Sequence, residues 1–147
     1  MQAALGLLAA VSLLARAPSA AGAETAEARA DRLLKTAGFR GGLIVHVGCG
    51  EGELTVALGA REGCLVLGLT RDHTQVEPAR RRLVRAGLGG KVVIHSWSGR
   101  RLPLVDNSAR LIVVEEPAMV PRDELLRSLC PEGVALVRRN ETWEKTI

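Results

Sequence analysis

Five short aliphatic and β-branched runs, at 43–47, 64–69, 91–95, 111–114 and 134–137, alternate with stretches whose apolar residues recur at helical spacing. Few architectures accept that alternation. Each run is short and nearly continuous in its apolar character, so it reads as a strand buried on both faces, which is the habit of parallel sheets. Parallel strands need crossovers, and the segments 24–37, 53–60, 74–86 and 122–129 supply helices for them. The expected fold is therefore α/β, a Rossmann-like parallel sheet with helices on both faces. Residues 102–108, holding Pro103, Asp106 and Asn107, read as a loop, and Pro131-Glu132-Gly133 as a turn before the fifth strand. At 147 residues the chain fits one domain, and its 47% hydrophobic content with a net charge of only +4 excludes a disordered chain. Tyr is absent, Phe occurs once and Trp twice, so Leu, Val, Ile and Ala must fill the core. The same scarcity argues against a nucleic-acid partner, whose bases need aromatic platforms. Arg80, Arg81, Arg82 and Arg85 then read as a solvated helix face near a helix C-terminus.

The N-terminus has a separate character. Ala3–Ala15 is an apolar run too short to span a bilayer, and it is followed by Arg16, Pro18 and the small residues Ala21-Gly22-Ala23. This is the pattern of a cleaved secretory leader over 1–23, with Glu24 opening a mature domain over 24–147. The expected destination is the periplasm or the medium, with no membrane span in the mature chain. Cys49, Cys64 and Cys130 lack metal-ligand spacing, so no metal is expected.

Most of the chemistry lies in Leu43–Gly52, LIVHVGCGEG. A buried strand delivers the chain to a glycine turn, and the helix after it presents unpaired N–H groups. The dinucleotide fingerprint would want glycine at position 53, where Glu53 stands, and the G-K-[ST] of a phosphate loop is missing. The turn and its surroundings resemble class I S-adenosylmethionine-dependent methyltransferases. LIVHVGCGEGELT is similar to their first motif, LVLGLTRD to the second strand, VVIHSWSGRRLPLVDNS to the third strand and adenine-side loop, ARLIVVEE to the fourth strand, and LLRSLCPEGVALV to the approach to the fifth. More narrowly, the arrangement resembles the module that precedes a PQQ-binding-like β-propeller in some exported proteins. The resemblance implies strand order 3-2-1-4-5 with later strands missing or truncated, and S-adenosylmethionine as cofactor. It further implies a methyl acceptor of unassigned chemistry and a C-terminal propeller partner, with Thr142–Thr146 near the junction. Gly48, Cys49, Gly50 and Gly52 would lie against the methionine portion, with Glu51 or Glu53 either neutralising its amino group or remaining solvated.

The resemblance also locates departures. Thr70 stands where an acid usually accepts both ribose hydroxyls, and Asp72 either reaches in or caps the next helix. Ser98 replaces a second acid on the adenine side, and Trp97 either covers the adenine or packs inside. Arg110 replaces a polar or acidic residue at the start of strand four. These losses make a degenerate, cofactor-free docking module the alternative function. Glu115 and Glu116 end the fourth strand as either a paired acid or a solvated strand end, and the latter is the expectation. His46 reads as a packed core histidine, while His73 and His95 have no ligand-spaced companions. Cys49 could gain acidity from the helix start, although a small turn residue is its simpler role. Asn140-Glu141-Thr142 matches a glycosylation acceptor.

Overall fold

The computed structural model describes residues 22–146, so the leader expected over 1–23 lies almost wholly outside the described residues. Helix α1 (Ala26–Ala37) starts where the Thr25 hydroxyl accepts from the Ala28 N–H at 3.1 Å. It stops at Gly38, whose φ of 63° is the left-handed turn that ends helices. Then follow β1 (Gly42–Val47), α2 (Glu53–Gly59), β2 (Cys64–Thr70), α3 (His73–Arg85), β3 (Val92–Ser96), β4 (Ala109–Val114), a 3-10 turn (Pro117–Met119), α4 (Arg122–Ser128), β5 (Leu129–Arg139) and β6 (Thr142–Lys145).

The sheet order is β3-β2-β1-β4-β5-β6, parallel through β5 and antiparallel at β6. The order expected for the first five strands is therefore present. Thr142–Lys145, for which the sequence reading gave no strand, forms β6, with Val137 paired to Glu144 and Arg139 to Thr142. β5 also begins earlier than expected. Pro131-Glu132-Gly133 lies inside it as an irregularity, because the register against β4 jumps between Ala109–Leu129 and Leu111–Val134.

Alternation along each strand divides the core in two. Ile44, Val66, Ile94, Leu111, Val113 and Leu136 face α1, α2 and α3, which contribute Leu33, Leu54, Leu58 and Leu83. Val45, Val47, Ile112, Val114 and Val137 face the other way, toward Met119, Leu125, Leu102 and Trp97. Fully burying one such aliphatic side chain is worth about 1.5–3 kcal/mol. The link from β3 to β4 has no helix, which leaves Leu65 and Val93 half-exposed on that face. A clasp orders this link instead. Arg127 donates to the Leu104 carbonyl (2.9 Å), Asp106 (2.6 Å) and Glu124 (2.6 Å), and Glu124 accepts the Leu102 N–H at 2.6 Å. Among the described residues no helix is long and apolar enough to cross a membrane.

Candidate cofactor site

The crevice of this fold lies above the carboxyl ends of β1 and β2, where the strand order reverses. The Gly48 and Cys49 amides both donate to the Leu69 carbonyl, at 2.8 and 3.0 Å, and tie the glycine turn to the end of β2. The three glycines serve different ends. A Cβ on Gly48 would lie 2.9 Å from that of Glu115, so β4's end presses against the turn. A Cβ on Gly52 would meet Ala79 at 3.2 Å and Ile94 at 3.3 Å, so this glycine lets α2 seat on α3 and β3. Gly50, at φ 54°, would point its Cβ into open space, where a ligand can approach the backbone.

Beside the turn lies a cavity of about 370 Å³ with Arg29, His46, Cys49, Glu51, Glu115 and Arg138 among its walls. Its floor is a hydrogen-bonded chain across three strands. Glu115 is 16% exposed and accepts from His46 Nε2 at 3.1 Å and from Arg138 Nη1 at 3.0 Å. His46 is buried, and its Nδ1 lies 2.8 Å from the Thr55 hydroxyl. A carboxylate can only accept, so Nε2 carries the proton toward Glu115, and Nδ1 accepts from Thr55 in the neutral ring. Burial pushes the Glu115 carboxyl upward, but its bonds to His46 and Arg138 outweigh this and hold it below the usual carboxylate value.

Glu115 thus departs from the solvated strand end expected of it. His46 is a core residue as expected, but a partnered one. The sequence held a usable signal. A polar residue inside a buried run needs a partner, and Glu115 ends the strand beside it. Glu51 and Glu53 sit on the cavity rim, 62% and 69% exposed, with Arg82 at 3.8 and 3.4 Å. The Cys49 thiol is pushed up to about 11, chiefly by burial, so the helix start does not activate it.

At the other end of the crevice, Thr70 is buried, donates to Gln75 Oε1 at 3.0 Å and accepts the Asp72 N–H at 3.2 Å. Asp72 caps α3, its Oδ1 accepting from the Thr74 amide at 2.9 Å and hydroxyl at 2.6 Å. Trp97 is 8% exposed within the second core, donates to the Arg101 carbonyl at 2.7 Å and carries the Arg71 guanidinium 5.5 Å from its ring centre. Ser98 is exposed on the following loop. Arg80 departs from a purely solvated role, donating to the Ile94 carbonyl at 3.0 and 3.2 Å.

A parallel sheet in this order, with an open glycine turn at the end of its first strand, defines a class of domains that hold a nucleoside-type ligand across the strand ends. The family model described as "Methyltransferase domain" matches residues 44–138, and the chain belongs to that family. It is 37% identical over 90 residues to the O-methyltransferase cnsE of Penicillium expansum, covering 58% of this chain and 33% of that protein. It is 35% identical over 71 residues to a probable cobalt-precorrin-6B C(15)-methyltransferase (decarboxylating) of Pyrobaculum aerophilum, covering 47% of this chain and 36% of the other. The chain thus spans about a third of the length of these curated relatives. Among solved structures, a geranyl diphosphate methyltransferase in complex with SAM superposes with TM-score 0.67 at 26% identity, over 76% of this chain and 48% of the other. A putative S-adenosyl-L-methionine-dependent methyltransferase of Methanococcus maripaludis gives TM-score 0.66 at 23% identity, over 74% and 52%, a likeness of fold.

Proposed function

We propose that the domain binds S-adenosylmethionine with the methionine end over Gly48–Gly52 and serves methyl transfer to an acceptor. Glu115 carries this reading. It is an ionised, largely buried carboxylate, pressed against Gly48, and it faces the cavity a cationic group would enter. The residues at this end fit the cofactor's ammonium and carboxylate, with Glu115 for the former and Arg29 or Arg138 for the latter. The chemistry the cofactor supplies when bound is a methyl group on a sulfonium. The chain's part is to hold donor and acceptor in line, which is most of what this reaction needs. His46 and Thr55 keep the Glu115 carboxylate in one orientation, and Gly50 keeps the backbone approachable.

Isothermal titration tests the reading. S-adenosylhomocysteine should bind, and Glu115→Gln should weaken it about tenfold or more, the worth of one hydrogen bond to a charged group. Binding of 5′-methylthioadenosine, which lacks the amino-acid part, should be unaffected by that substitution. Equal loss for both ligands would remove Glu115 from the methionine site.

A second reading, a cofactor-free docking module of an exported propeller protein, draws support from the opposite end of the crevice. There neither Thr70 nor Ser98 offers a carboxylate, and Asp72 is tied to the start of α3. Absence of heat with S-adenosylmethionine, S-adenosylhomocysteine and 5′-methylthioadenosine together would favour it.

A further inference from the structure

A second cavity adjoins the one that Glu115 faces. It encloses about 440 Å³ between the start of α1 and the β5–β6 hairpin, walled by Glu24, Arg29, Arg32, Arg138, Glu141 and Trp143. Arg29 and Arg138 line both cavities. Arg138 and Trp143 lie opposite one another in the β5–β6 register, so their side chains rise from the sheet on one face. The indole is partly buried against the first core and gives the cavity a flat apolar wall. The polar groups around it are unevenly used. Glu24 has both oxygens on Arg32, at 2.7 and 2.8 Å, a carboxylate held by a guanidinium fork at the cavity edge. Arg138 donates through Nε to the Asn140 carbonyl and through Nη1 to Glu115, which leaves Nη2. Arg29 makes no hydrogen bond among the described residues, its Nε standing 3.6 Å from Glu24.

Two guanidiniums with unused N–H groups beside an indole select a ligand with an anionic end and a flat apolar body. The cofactor's own carboxylate needs only one of the two. Three guanidiniums against two carboxylates leave the walls one positive charge, which suits a carboxylate better than a phosphate dianion. A molecule seated here shares its walls with the cofactor cavity, so it lies beside the methyl donor, where an acceptor must be held. We propose that this second cavity binds the methyl acceptor, and that the acceptor is a small carboxylic acid whose carboxylate meets Arg29 and whose flat apolar body lies on Trp143. The proposal rests on the reading that the first cavity holds the methionine end of the cofactor. It deepens that reading by naming the chemical class of the acceptor.

The test follows the two indole N–H signals of the full chain by NMR, assigned with Trp143→Phe. The probes are benzoate, neutral benzamide and phenyl phosphate, each titrated with and without S-adenosylhomocysteine. Benzoate should move the Trp143 signal and leave that of Trp97, which lies in the other core, in place. Benzamide should bind about tenfold more weakly or worse, the worth of one hydrogen bond to a charged group, and phenyl phosphate no more tightly than benzoate. Arg29→Gln should remove the advantage of benzoate over benzamide. The double substitution Arg81→Ala, Arg85→Ala, on the exposed face of α3, should preserve it. An unmoved Trp143 signal overturns the proposal, as do equal binding of benzamide, tighter binding of phenyl phosphate, or an advantage that survives Arg29→Gln or disappears with the α3 pair. Displacement of S-adenosylhomocysteine by benzoate also overturns it, since both carboxylates then share one place, while the cofactor reading stands. If benzoate behaves as expected and S-adenosylhomocysteine does not bind, the carboxylate cavity stands, and the cofactor reading falls together with the acceptor role.

Discussion

Gly59 shows how much can depend on one missing methyl group. It lies in α2, where alanine would gain roughly 1 kcal/mol of helix propensity. A Cβ there would sit 2.2 Å from Val92 Cγ2, and Val92 is itself 3% exposed with little room to retreat. Overpacking of this kind costs about 1–3 kcal/mol and should outweigh the propensity gain. Gly59→Ala should therefore lower the urea midpoint with an unchanged m-value. At the turn, Gly50→Val should remove S-adenosylhomocysteine binding with little further structural damage than its strained φ, because its Cβ meets no protein atom. The cysteines separate by burial. Cys49, pushed up to about 11, and Cys64, also raised by burial, should resist a thiol reagent at neutral pH, while the part-exposed Cys130 reacts first. Peptide mapping after brief labelling would check the order.

At the scale of elements, the β3–β4 link is the segment most dependent on a single side chain. Arg127 donates to Leu102, Leu104 and Asp106 within it and to Glu124 and Ser128 beneath it, and Glu124 holds the Leu102 amide. Arg127→Met would leave the Leu104 carbonyl without this donor and the Glu124 carboxylate with the Leu102 amide alone. The expected outcome is a Tm lower by several degrees and faster proteolysis between 98 and 108. The same clasp predicts a pH dependence. The bond from Arg127 holds the Glu124 carboxyl below its ordinary value, with burial opposing and the Leu102 amide assisting. A carboxyl depressed in the folded state stabilises at pH above its unfolded value of about 4.3, and that contribution is lost as pH falls through the folded one. Glu115 carries the same sign. Stability should thus decline on acidification below about pH 5, and Glu124→Gln should flatten the decline.

For the whole molecule, the sheet grades from centre to edge. β1 and β4 are paired on both sides and buried on both faces, whereas β3 and β6 have one neighbour each. Amide exchange should be slowest at Ile44–Val47 and Leu111–Val114 and fast along Thr142–Lys145. Ligand binding should slow exchange at the glycine turn and the end of β4 together, since Glu115 joins them. Slowing confined to the turn would argue that Glu115 takes no part.

The local code of this chain was sufficient for its layers. Continuous apolar runs identify strands buried on both faces, helical periodicity supplies the crossovers, and the glycines after β1 mark the crevice, because each is a property of neighbours in sequence. Asp72 as a cap was legible for the same reason. β6 was not legible, since the short, charged TWEK segment becomes a strand only by pairing with Leu136–Arg139. The Glu115–His46–Arg138 chain was hidden too. Its members come from the residue just past β4, from β1 and from β5, 69 and 23 residues apart along the chain, and only the parallel register aligns them. The inward turn of Thr70 and the stacking of Arg71 on Trp97 likewise follow from packing. A carboxylate or hydroxyl is available to a ligand only if the protein has not already used it, and that is settled in three dimensions.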